Sequence, residues 1–301
     1  MLVRALAATL LLSLVPSAPA AAAGANPAAM RGPAATDRQA TVAAQQEITV
    51  VLRPRTVGTV RFRQTLRRTL GRYSVRDNTY ATRWLRDGRP IRGATKARYR
   101  LRAADVGHRI AVRVTVRHPG HVPRVTRSVG RRVKHVRDVR ATVRYTVRRD
   151  GSFTKAMRTF RRQVAETLND PRGWRAAGVR FKRVSSGGSM TVVLARASRL
   201  PRYSSVCSVQ WSCRVGRYAI INRLRWRTAS PAWNAAADTT RRGYRHMVVN
   251  HEVGHWLGWG HKQCSRQGRR AAVMMQQSIS LGGCRFNSWP KRAELRVPRY
   301  R

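Results

Sequence analysis

Beyond its first residues the chain lacks any apolar run of the about 18 residues a bilayer span requires, which excludes a membrane-spanning segment from the mature protein. The one early run, Ala5 to Val15, is too short to span. With Arg4 before it and the small residues Ser17-Ala18-Pro19-Ala20 after it, residues 1–23 read as a secretory signal cleaved between Ala20 and Ala23. No cysteine lies near that exit, so no lipid-modified N-terminus is indicated, and the mature protein is expected to be secreted or wall-associated. Cysteine is scarce as well: four residues, Cys207, Cys213, Cys264 and Cys284, all in the last third. None of the spacings is C-x-x-C, the usual form of a four-cysteine zinc site. An even number in an exported chain predicts disulfides instead. Three connectivities are open, and short loop closure favours Cys207–Cys213 and Cys264–Cys284. Acidic residues are the third scarcity, 12 against 62 basic ones, giving a formal charge of +50. The arginines are dispersed along the chain rather than clustered, which argues against a dedicated nucleic-acid groove and reads first as biased filling of solvated positions. Non-specific adhesion to an anionic polymer, such as one of the cell wall, follows from the field.

At 301 residues the chain is long enough for two domains, each with its own core. Residues 24–47, rich in Ala, Gly, Pro, Thr and Gln, read as a flexible linker. From 48 to 133 the pattern is all strand. Ile110, Val112, Val114 and Val116 alternate with polar or small residues, Tyr80, Thr82 and Trp84 likewise, and Asp87-Gly88 is a hairpin signal. A small β-sandwich is predicted, with a core resting on Trp84 and aliphatics because this segment has no cysteine pair. From about 136 to 301 the pattern becomes mixed. A strand over 141–147 precedes a helix with Phe153, Met157, Phe160, Val164 and Leu168 on one face. Strands over 178–184, 190–195 and 218–222 then lead to a final helix from about Arg242 to Leu257. Strand, helix, strands, helix predicts an α+β domain.

The chemistry lies in HEVGHWLGWGH, residues 251–261. Four residues apart on a helix, His251 and His255 project from one face with Cβ atoms about 5 to 6 Å apart. Glu252 can then lean toward a metal-bound water as general base. Gly258 can take a positive φ, end the helix and turn the chain so that His261 reaches the same ion. Three neutral imidazoles leave one position of a tetrahedral Zn²⁺ open, the arrangement of a catalytic site, so one zinc ion per chain is predicted. Cys264 as a fourth ligand is the rival arrangement and would make the site structural. The remaining histidines, His108, His118, His121, His135 and His246, lack ligand spacing and read as surface residues.

The full HExxHxxGxxH motif resembles the metzincin superfamily of zinc metallopeptidases. That resemblance implies a methionine turn beneath the ligands, for which Met274 in Val273-Met274-Met275 is the first choice and Met275 the second. The tyrosine that some metzincin branches carry after this turn is missing, since Gln276, Gln277, Ser278 and Ile279 follow. More closely, DPRGW at 170–174, SCRVGR at 212–217, NRLRW at 222–226, VVNHEVGHWLGWGHKQC at 248–264, VMMQQ at 273–277 and LGGCRFNSWP at 281–290 resemble a secreted actinobacterial family of metzincin-like domains of largely unassigned function. WLRDGRPIRGAT at 84–95, with Tyr99, Leu101 and Asp105-Val106-Gly107, resembles the immunoglobulin-like modules of bacterial surface proteins.

The expected molecule is thus multidomain: an all-β immunoglobulin-like sandwich followed by an α+β metzincin-like domain. Its expected activity is hydrolysis of peptide bonds in a protein or peptide substrate, with Glu252 as the catalytic base. Hydrolysis of cell-wall peptides is an alternative, as is a non-catalytic adhesion protein in which zinc only stabilises the fold. No cysteine in the linker offers a thiolate to plug the zinc.

Overall fold

The computed structural model describes residues 45–300, so the expected secretory signal and all but the end of the expected linker lie outside the described residues. Short strands dominate the first part: β1 (Gln46–Glu47), β2 (Val50–Leu52), β3 (Thr56–Val57), β4 (Thr65–Arg68), β5 (Arg72–Tyr73), β6 (Thr79–Arg86), β7 (Arg89–Pro90) and β8 (Arg98–Arg100). They continue as β9 (Arg109–Arg117), β10 (His121–Val122), β11 (Arg124–Arg127) and β12 (Arg131–Arg132). The largest sheet here runs β11-β9-β6-β7, with β12 also on β9, and a smaller one runs β3-β4-β8. The period-2 pattern of β9 decides which face is buried. Ile110, Val112, Val114 and Val116 all face a core shared with Leu66, Tyr99 and Leu101. Trp84 lies at its centre, fully buried, stacked on Tyr99 at 5.4 Å, with its indole N–H donating to the Lys96 carbonyl at 2.9 Å. Tyr80 departs from the expected alternation, being 39% exposed near the start of β6. Asp87 and Gly88 both take positive φ, 47° and 80°, as the two-residue loop between β6 and β7 requires.

The second part is a mixed α+β arrangement around its own core. Its strands are β13 (Ala141–Asp150), β14 (Val179–Arg183), β15 (Met190–Ala195), β16 (Cys213–Val215) and β17 (Tyr218–Asn222). The sheet order is β14-β13-β15-β17-β16, parallel throughout except for β16, which pairs antiparallel with β17 and forms one edge. Helix α1 (Lys155–Asn169) crosses between β13 and β14 and buries Met157, Phe160, Val164 and Leu168. That stripe packs as core, at the spacing the sequence predicts. Two short helices, α2 (Arg223–Thr228) and α3 (Pro231–Asn234), precede the long α4 (Arg241–Trp256). Thr240 caps α4, its hydroxyl accepting from the Gly243 N–H at 3.0 Å. Tyr244, Met247, Val248 and His251 are among the residues α4 buries.

Both disulfides form as the short-loop argument expects, Cys207–Cys213 and Cys264–Cys284, each with Cα atoms 5.7 Å apart. Among the described residues no helix is long and apolar enough to cross a membrane.

Candidate metal centre

Helix α4 positions the first two histidines one turn apart. Their outer nitrogens converge: His255 Nε2 stands 3.1 Å from His251 Nε2 and 3.1 Å from His261 Nε2. The third imidazole arrives because the chain reverses at Gly258, whose φ of 95° belongs to the left-handed region. A Cβ there would also come within 3.0 Å of Pro298, so glycine is required twice over.

Backbone carbonyls fix the tautomers. His251 Nδ1 lies 2.9 Å from the Val273 carbonyl and His255 Nδ1 2.8 Å from the Trp259 carbonyl. A carbonyl only accepts, so each Nδ1 carries the proton and each Nε2 presents a bare lone pair. Burial holds all three rings below the ordinary imidazole range, His251 at about 3 with further lowering from His255. The His251 and His255 lone pairs, facing one another at 3.1 Å with no proton between them, repel unless a cation stands between them. Nitrogen ligands of a tetrahedral zinc, each about 2.0 to 2.1 Å from the ion, are separated by about 3.3 Å, close to what is found. The trio, whose ligand atoms all lie within 4.8 Å of one another, can therefore hold a metal ion.

Glu252 is buried beside the trio, and desolvation pushes its carboxyl up to about 8, against a lowering by the Arg214 charge. Glu252 and the three imidazoles share a cleft lined also by Trp211, Arg214, Gln276, Ser278 and Ile279. Arg214 lies on β16, so one wall of the cleft is the free edge of the sheet. Cys264 belongs to its disulfide and is not a fourth ligand.

Beneath the ligands, Met274 is fully buried, and a Cβ on Gly254 would meet its sulfur at 2.2 Å. Met275 instead packs with Ala271 and Cys284 and borders the cleft. The turn that carries both is held by Glu294, whose carboxylate accepts from the backbone N–H groups of Val273 at 3.1 Å, Met274 at 3.0 Å and Lys291 at 2.7 Å. Since the Val273 carbonyl orients His251, Glu294 acts on the metal centre through one intervening residue. Sequence reasoning missed Glu294, Arg214 and Gly254. The signals were a lone carboxylate in a basic chain and a glycine between two ligands.

Of the five histidines expected at the surface only His108 is exposed, while His118, His121, His135 and His246 are partly buried. His246 is wedged between α1 and Trp289, with its ring 4.5 Å from the indole and Nδ1 donating to the Thr167 hydroxyl at 2.9 Å; its pKa falls to about 4. His135 is likewise lowered to about 4 by burial and then by Arg175. The surface reading overlooked packing between elements distant in sequence.

No curated protein matches the chain. A family model described as a protein of unknown function (DUF3152) matches residues 119–288, a span that holds all three histidines, Glu252, Met274, Met275 and both disulfides and stops just short of Glu294. Because that match covers more than half of the 301 residues, the chain belongs to this family of unknown function.

Proposed function

We propose that the chain is an exported zinc metallopeptidase of metzincin type, preceded by an immunoglobulin-like module. The observation that carries the reading is the convergence of three imidazoles, two of them held as Nδ1–H tautomers, on one point beside a buried carboxyl. Zinc suits this donor set, and when bound it would polarise a substrate carbonyl and lower the pKa of water in the cleft.

The chain's own groups then account for the proton movements. Glu252 takes a proton from the attacking water as its oxygen bonds to the carbonyl carbon, and delivers it to the leaving nitrogen as the C–N bond breaks. Burial raises the affinity of Glu252 for that proton, while a cation held by the imidazoles lowers it, so the carboxyl can both accept and release near neutral pH. The free edge of β16 supports a peptide substrate in particular. Its unpaired backbone groups can pair with an extended chain laid along the cleft. Export is supported by the two disulfides, which persist outside the reducing cytoplasm.

The test compares wild type with Glu252→Ala. About one zinc per chain is expected in both, with cleavage of an unfolded protein falling at least about a hundredfold in the variant. Unchanged cleavage in the variant contradicts the assignment of Glu252.

A further inference from the structure

On the outer face of the first part's main sheet, the register sets Arg83 of β6 directly opposite Arg113 of β9, and Arg113 directly opposite Arg127 of β11. Three guanidinium side chains thus stand in a row across three neighbouring strands, about 4.8 Å from one strand to the next. Like charges directly opposite one another destabilise a sheet, and an interleaved carboxylate would ordinarily relieve them. On one side the flanking positions on this face are Ala81, Thr115 and Val125, followed by Thr79 and Arg117, and on the other they are Leu85 and Ala111, both buried. They bring no acid and no aromatic ring. Among the described residues, none of the three arginines enters an ion pair. The other described carboxylates are few, and the exposed Glu47 and Asp77 form no ion pair with the row. Asp87, Asp105, Asp138, Asp150, Glu166, Asp170 and Asp238 are engaged with other basic groups. Glu252 and Glu294 are buried in the second part. Arg127 is exposed and its two neighbours half-exposed, so the row is reachable from solvent.

We propose that this row binds a linear polymer carrying repeated phosphate groups, laid across the strands so that successive guanidiniums engage successive phosphates. Planar guanidinium forks match phosphate oxygens bidentately, and two adjacent forks can share the oxygens of one group. On the side of Ala81, Thr115 and Val125 the neighbours are short and uncharged, which leaves the forks room there. Lacking any ring on which bases could stack, the face suits a plain phosphate chain better than single-stranded nucleic acid. Such a surface would anchor the protein to an anionic polymer independently of the metal centre.

The experiment uses the full chain and long-chain inorganic polyphosphate, with binding followed by calorimetry across a salt series. One variant carries Arg83→Gln, Arg113→Gln and Arg127→Gln. The control removes equal charge from dispersed exposed positions: Arg161→Gln, Arg180→Gln and Arg202→Gln. The row variant is expected to bind about tenfold more weakly, with its log-affinity against log-salt slope reduced by about two, while the control changes by less than about twofold. Thermal unfolding verifies that both variants fold, and the row variant should melt no lower than wild type because repulsion has been removed. Equal loss in both variants, or row-variant binding within about twofold of wild type, overturns the proposal. Tighter binding of duplex DNA that the row variant abolishes overturns it too, by assigning the face to nucleic acid.

Discussion

The proton positions on His251 and His255 follow from two carbonyl oxygens, and the identity of residue 254 follows from a sulfur atom. With a methyl group at 254, the new carbon would stand 2.2 Å from Met274 Sδ and 2.9 Å from the Trp174 ring. Gly254→Ala is therefore expected to destabilise the fold by about 1–3 kcal/mol through overpacking, and to speed zinc loss to a chelator by displacing the floor beneath the ligands. Thermal unfolding and metal retention check both effects. His246 supplies a pH dependence remote from the ligands. Folded, its ring titrates at about 4 because burial, and then Arg242, disfavour the charged form, whereas its ordinary value is 6.5. Between those values the unfolded chain binds the additional proton, so stability falls as pH falls through that window. In His246→Gln the melting temperature should vary less steeply with pH there than in wild type. Equal slopes would contradict the assignment.

At the scale of elements, what holds α4 over its floor is a set of ties from the chain that follows it. Removing the Glu294 carboxylate in Glu294→Ala leaves buried N–H groups of Val273 and Met274 without their acceptor, at about 1–3 kcal/mol each. Lower thermal stability is expected together with weaker zinc retention, since the Val273 carbonyl also orients His251. The Cys264–Cys284 disulfide closes a segment that contains the turn. Replacing both cysteines with serine should lower stability by about 2–4 kcal/mol, measured by denaturant unfolding. These ties explain what the sequence could and could not reveal. Long periodic elements were legible: β15 and β17 fall where alternation or apolar runs predict them, and α1 and α4 within a residue or two, because their apolar faces repeat over many residues. The helix-terminating glycine was legible too, since HExxHxxGxxH states ligands and reversal in one string. The three-residue β16, the short α2 and α3, and the reach of Glu294 back to the turn carry no local periodicity. They exist because of tertiary pairing, and with them the wall of the cleft bearing Arg214 stayed out of view.

For the whole molecule the governing quantity is charge. A formal +50 with only 12 carboxylates leaves most of the 62 basic residues without an opposite charge of their own. Screening should therefore stabilise the fold: raising NaCl from about 0.02 M to about 0.5 M is expected to increase the melting temperature, whereas a fold resting on its surface ion pairs would lose stability. The same charge draws anionic polymers, and the aligned row on the β-rich part gives that attraction one defined place. The catalytic reading stands apart from it, on three histidines and one carboxyl. Its most direct test is a cleavage profile on a proteome-derived peptide library, comparing protein of measured metal content with its Glu252→Ala form. The account predicts about one zinc per chain in both and defined cleavages made only by the wild type. A zinc-loaded wild type that cleaves nothing, or a Glu252→Ala form that produces the same cleavages, would contradict it.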